Sequence, residues 1–182
     1  NRATYLFCKG IKGILRDGPI YTWKRVKRRI CQDKKNRDWS KYDEKELAMQ
    51  RQYPLPRQIK FSILVPLYNT PEDFLKEMIA SVQAQTYSNW ELCLADGSDD
   101  EHRQVGQIVA GFQQQDGRIQ YRKLERNLGI SGNTNACIEM ASGDYIALFD
   151  HDDLLHPSVL YENMKAICEQ GADFIYTDEL TF

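Results

Sequence analysis

The feature that most constrains the fold is an alternation that begins at Lys60. Short apolar runs are separated there by longer stretches whose apolar residues stand three and four apart. A period near two that gives way repeatedly to a period near 3.6 is the signature of βαβ units, in which a parallel sheet is covered by helices on both faces. Strands are expected at residues 61–67, 91–95, 119–123, 145–149 and 174–176, and helices at about 72–85, 101–115, 132–141 and 157–169. The first helix carries Phe74, Leu75, Met78, Ile79 and Val82 on one face, with Pro71 near its start, where a missing N–H is harmless. No internal repeat interrupts the pattern.

Residues 1–58 behave differently and are expected to form a basic helical extension and linker ahead of a domain at 59–182. Gly18-Pro19 breaks two helical stretches, and residues 20–30 set Trp23, Val26 and Ile30 at helical spacing among lysines and arginines. The two prolines of Tyr53-Pro-Leu-Pro56 then favour extended backbone. With 182 residues, 42% of them hydrophobic and 27% charged, the chain suits one main domain with a core and is far from the composition of disorder. The net charge is only −2, yet residues 9–37 carry eleven Lys or Arg against Asp17 and Asp33, so the remainder is strongly acidic. Such an arm could touch an anionic membrane, or could pack on the domain as a solvated helix. No nucleic-acid-binding fold accompanies the charge, and nucleic acid is not expected as a partner. Lacking a long apolar run or a signal peptide, the chain reads as cytoplasmic, with peripheral attachment at the inner face of the membrane an option. It starts at Asn1 and stops at Phe182 inside an apolar run, so a piece of a longer protein is expected. The five cysteines form no Cys-x-x-Cys pair and read as reduced packing residues.

Ligands of an open α/β sheet bind beyond the carboxyl ends of its strands. The polar residues collect there: Tyr68 and Asn69 after the first strand, Asp96 to Asp100 after the second, Asn127 and Gly129 after the third, and Asp150, Asp152 and Asp153 after the fourth. Three aspartates within four residues repel one another, so a cation is the natural complement. Hard ions such as Mg²⁺ or Mn²⁺ take oxygen ligands and often pair one or two carboxylates with substrate phosphates. Helix capping by Asp152 or Asp153 is the structural alternative. Asp96 stands where a carboxylate could accept a pyrimidine N–H, while Ser98 and Asp99 equally suit a turn and cap. Pro66 is tolerated at a strand end, and Tyr68 could contact a ligand or simply pack.

Together, Ile63-Leu-Val-Pro-Leu-Tyr-Asn69, Leu94-Ala-Asp-Gly-Ser-Asp-Asp100, Asn127-Leu-Gly-Ile-Ser131 and Leu148-Phe-Asp-His-Asp-Asp153 resemble the family 2 inverting glycosyltransferases over about residues 61–182. The resemblance implies a GT-A, Rossmann-like fold, with an open, mostly parallel sheet flanked by helices, here truncated and preceded by the helical extension. It implies a nucleotide-sugar site of Pro66, Tyr68, Asn69, Asp96, Asn127, Asn135, Asp150 and Asp152, with Asp152 and Asp150 as the metal-binding Asp-x-Asp and His151 as their neighbour. The donor would be a UDP or dTDP sugar. The acceptor would be a saccharide or lipid-linked molecule, and the setting bacterial cell-surface polysaccharide synthesis. Many members have an arginine where Thr134 stands, which removes one expected contact. The family's catalytic base lies further downstream than Phe182, since Asp178 and Glu179 follow Asp152 too closely, so this stretch is expected to bind nucleotide without transferring sugar. A non-catalytic nucleotide-sugar-binding module is the rival of another class. A haloacid-type phosphatase would carry Asp-x-Asp on its first strand, and a nucleotidyltransferase would need a glycine-rich basic loop after strand one.

Overall fold

The computed structural model describes residues 43–177, of which residues 44–176 form one compact unit. Four strands, β1 (Phe61–Leu67), β2 (Trp90–Asp96), β3 (Ile119–Lys123) and β4 (Tyr145–Leu148), pair in parallel in the order β3-β2-β1-β4. The helices are α1 (Glu44–Gln52), α2 (Glu72–Gln83), α3 (Gln104–Gln113), α4 (Gly129–Ile138) and α5 (Val159–Gln170), with a 3₁₀ turn at Asp100–His102.

The apolar runs sort residue by residue onto two faces, as the pleat requires. Phe61, Ile63, Val65 and Leu67 of β1, with Trp90, Leu92 and Leu94 of β2, join a core that includes Leu75, Met78 and Val82 of α2, Val105 and Val109 of α3, and Leu160, Met164 and Ile167 of α5. Leu64, Cys93 and Ala95 point the other way, against Ala136 and Cys137 of α4. Both faces of β1 and β2 are covered, which is why these strands read as continuous rather than alternating hydrophobic runs.

Several expectations need adjustment. Residues 174–176 form no strand, and Phe174 and Tyr176 are 86% and 83% exposed. Among the described residues nothing pairs with the outer edge of β4, so three apolar residues find no ladder to join. β4 is itself half open: Tyr145 and Ala147 pack on the larger core, while Ile146 and Leu148 are 53% and 72% exposed. Helix α4 starts at Gly129, three residues earlier than expected, for reasons that belong to the site below. The segment ahead of β1 also docks on the domain. Leu47 and Gln50 of α1 are buried, Thr86 donates to Gln50 Oε1 at 2.9 Å, and Tyr53 meets Tyr161 edge to face. The basic stretch 9–37 and the pair Asp178 and Glu179 lie outside the described residues.

The chain steps from β1 to β2 to β3 and then crosses back to place β4 on the other side of β1. The strand order therefore reverses between β1 and β4, and a crevice opens at such a switch, at the carboxyl ends of the strands.

Candidate functional site

All four strands run the same way, so the loops that leave them share one rim. Leu67 is level with Asp96 and Asp96 with Lys123, whereas β4 stops at Leu148, level with Leu64. Alternate residues of β1 turn their backbone groups to opposite neighbours: the Leu64 carbonyl accepts from Phe149 N–H at 3.1 Å, and that of Leu67 from Gly97 N–H at 3.0 Å. Pro66 belongs to the set facing β4, two residues past Leu64 in the last pair of that ladder, so its missing N–H breaks no sheet bond.

After β1, Tyr68 is 46% exposed and Asn69 adopts φ 50°, the one non-glycine positive φ among the described residues. An asparagine tolerates this left-handed backbone better than most other non-glycine residues. Its neighbours after β2 hold it in place. Asn69 N–H donates to Ser98 Oγ at 2.8 Å, its side-chain amide donates to Asp99 Oδ2 at 2.9 Å, and Asp99 N–H donates back to Asn69 Oδ1 at 3.1 Å. The loops after β1 and β2 are thus one cross-linked platform.

Asp96 is 1% exposed and its carboxylate is enclosed. Oδ1 accepts from Ser98 N–H at 2.8 Å, Oδ2 accepts from the Tyr121 hydroxyl at 2.6 Å, and Lys123 Nζ stands 3.6 Å from Oδ2 while also donating to the Ser98 carbonyl. Burial, and then the adjacent carboxylate, push the Tyr121 phenol well above its ordinary pKa, so it acts as a fixed donor. Gly106 makes the room: a Cβ there would lie 2.7 Å from the Tyr121 hydroxyl. Neither Tyr121 nor Lys123 was singled out by sequence, because their relation to Asp96 exists only across the β2–β3 pair.

The third loop is built on two asparagines. Asn127 Oδ1 accepts from Gly129 N–H at 2.9 Å and from the Asn133 side-chain amide at 3.1 Å, and Asn133 Oδ1 accepts from Leu128 N–H at 3.0 Å. Gly129, at φ 74°, lets the chain turn into α4 straight after this knot. Gly97 presses against the same pair, since a Cβ would sit 2.8 Å from Asn133 Nδ2 and 3.1 Å from Asn127 Cα. Asn133 is buried here, whereas the expected Asn135 is exposed and takes no part in the contact.

Beyond β4, Asp150, Asp152 and Asp153 are exposed and His151 is half-buried. Among the described residues no group of three or more His, Cys, Asp or Glu is arranged to hold a metal. The acidic run is therefore not a preformed cage. Asp150 and Asp152 make no side-chain hydrogen bond or ion pair within the described residues, which leaves their oxygens available to an outside cation. Two buried polar atoms on this rim, Thr70 Oγ1 and His151 Nδ1, have no partner among the described residues. Such orphans are uncommon and call for an explanation.

A parallel sheet with its switch point between β1 and β4, and with polar loops at the carboxyl ends, places the chain in the GT-A class of open α/β folds. The chain belongs to Glycosyl transferase family 2, which matches residues 62–178. It is 45% identical over 119 residues to the uncharacterized protein y4gI of Sinorhizobium fredii, covering 65% of this chain and 13% of that protein. It is 34% identical over 115 residues to the UDP-Glc:alpha-D-GlcNAc-diphosphoundecaprenol beta-1,3-glucosyltransferase WfgD of Escherichia coli, covering 63% of this chain and 44% of that one. Among solved structures, S. aureus TarS 1-349 in complex with UDP-GlcNAc superposes with a TM-score of 0.57 at 28% identity, over 63% of this chain and 33% of that chain. The chain thus spans less than half the length of each of these relatives. No helix among the described residues is long and apolar enough to cross a membrane.

Proposed function

We propose that residues 59–182 are the nucleotide-sugar-binding part of an inverting, metal-assisted glycosyltransferase. Its donor is a UDP or dTDP sugar, its acceptor a saccharide or lipid-linked molecule, and its setting bacterial cell-surface polysaccharide synthesis. The observation that carries this reading is the pairing, across the β1–β4 switch point, of a cross-linked loop platform with two carboxylates that are unengaged among the described residues. The names of relatives that use UDP-linked sugars support the donor class.

On this reading Pro66 and the exposed Tyr68 border the base and ribose, Asn69 shapes the floor beside them, and Asp96 anchors the loop that faces the base. Its carboxylate already accepts from Ser98 and Tyr121, so any ligand N–H must use the lone pairs that remain. Asn127, held by Asn133, closes the far side, and the exposed Asn135 stands free to meet the sugar. Asp150 and Asp152 suit Mn²⁺ or Mg²⁺ in donor type, being two carboxylates without side-chain partners among the described residues, and phosphate oxygens would complete the shell. When bound, such an ion stabilises the charge that develops on the leaving diphosphate. The protein side chains orient the donor so that an acceptor hydroxyl can attack the anomeric carbon from the opposite face. The base for that hydroxyl is assigned to a carboxylate beyond Phe182, and residues 1–182 are expected to bind donor without transferring sugar.

Calorimetry with UDP, dTDP and GDP, with and without Mn²⁺, tests the reading. The expected result is metal-dependent binding of a pyrimidine nucleotide that weakens by about tenfold or more in Asp152→Asn, a change worth about 1.4 kcal/mol. Equal binding without metal, or an unaffected variant, removes the role given to Asp152.

A further inference from the structure

We infer that His102 is a positioning residue for the nucleotide site, acting through Asp99 on Asn69. The inference rests on the nucleotide-binding reading above and adds a residue that neither the strand-end motifs nor the family resemblance singles out. His102 closes the 3₁₀ turn after β2, and its Nδ1 lies 2.6 Å from Asp99 Oδ1. Asp99 holds its carboxylate below the ordinary range, through His102 first and Asn69 second, so it is ionised and can only accept; Nδ1 must carry the proton. The same oxygen also accepts from Glu101 N–H at 3.1 Å, which leaves Oδ2 for the Asn69 amide at 2.9 Å.

The two oxygens of Asp99 have separate partners. One oxygen is pinned by the turn that His102 closes, and the other grips the left-handed Asn69 that carries the chain from Tyr68 to the buried Thr70. With Oδ1 fixed, the carboxylate plane is fixed, and Oδ2 meets Asn69 in one orientation. Without the imidazole, Oδ1 keeps only the longer bond from Glu101 N–H, and the carboxylate that anchors the loop bearing Tyr68 to the loop after β2 is held less firmly. His102 and Asp99 are both substantially solvent-accessible, with side chains 35% and 47% exposed. Exposed pairs of this kind add little to global stability. Removing the imidazole should therefore leave folding nearly unchanged while loosening the site.

The test compares H102A, H102N and H102Q in the 182-residue chain, by calorimetry with UDP in Mn²⁺ and by thermal unfolding. An asparagine amide nitrogen overlays Nδ1, whereas that of glutamine overlays Nε2. H102N is expected to bind UDP as the parent does, and H102A and H102Q to bind about tenfold more weakly, with all three melting close to the parent. Faster amide exchange at Asn69 and Asp99 in H102A and H102Q alone should accompany this. Parent-like affinity in all three variants overturns the positioning role and leaves the nucleotide reading standing. Loss of affinity in H102N equal to that in H102A overturns it as well. If the parent chain binds neither UDP nor dTDP, the nucleotide reading itself falls and this role falls with it.

Discussion

At the scale of single residues, the site depends on how a buried charge is kept. Asp96 has given up almost all its solvent, and its carboxylate is held by a backbone N–H, a phenol and a nearby ammonium. A hydrogen bond to a charged group contributes roughly 1.5–3 kcal/mol. Tyr121→Phe is accordingly expected to lower unfolding free energy by about 2 kcal/mol, measured by urea denaturation, and to weaken nucleotide binding. Stability unchanged in that variant would show that water replaces the phenol without cost. The sequence marks Asp96 well, as a carboxylate ending an apolar strand. It carries no mark of Tyr121, which sits 25 positions away and resembles any half-buried strand tyrosine.

At the scale of elements, the third loop and α4 show where periodicity fails. Counting apolar spacing starts the helix near residue 132, yet it begins at Gly129, whose free first N–H donates to Asn127 Oδ1 while the preceding Leu128 N–H donates to Asn133 Oδ1. Asn133 is the keystone, since it both accepts from Leu128 N–H and braces Asn127. Asn133→Ala should cost about 1–2 kcal/mol, as loss of buried hydrogen bonds does, and should release the β2 turn at Gly97 that packs on it. A thermal unfolding curve that does not shift would refute the bracing role. β4 offers a second lesson. Its run of apolar residues looks buried on both sides, but one face is open among the described residues, because burial depends on what lies opposite and not on the strand itself.

At the scale of the whole molecule, the rim opposite the site is locked by Glu91. This side chain, almost fully buried, accepts from Ser62 Oγ at 2.6 Å, Ser142 N–H at 2.5 Å and Gln120 Nε2 at 3.0 Å, and pairs with Lys60 at 2.5 Å, so it joins β1, β2, β3 and the loop before β4. Gly143 is packed too tightly against Lys60 and Ser62 for any Cβ. Burial alone would raise the Glu91 pKa, but the Lys60 ammonium, Ser62 and Ser142 outweigh it and bring it from 4.5 down to about 2. A depressed carboxyl stabilises the fold above its unfolded pKa, and that contribution is lost as pH falls from 4.5 through about 2. Glu91→Gln should therefore cost on the order of 3 kcal/mol at neutral pH, with a gap to the parent that narrows in acid, as denaturant titrations at several pH values would reveal. By itself, the sequence determined the alternation of strands and helices, the parallel sheet it requires, and the gathering of polar residues at the strand ends, since local periodicity encodes all three. Only the tertiary structure decided the strand order that puts the acidic loop beside β1, the burial of Asn133 against Asn127, and the enclosure of Asp96 by Tyr121. Each of these is a contact between residues distant in the chain, and geometry, not pattern, selects it.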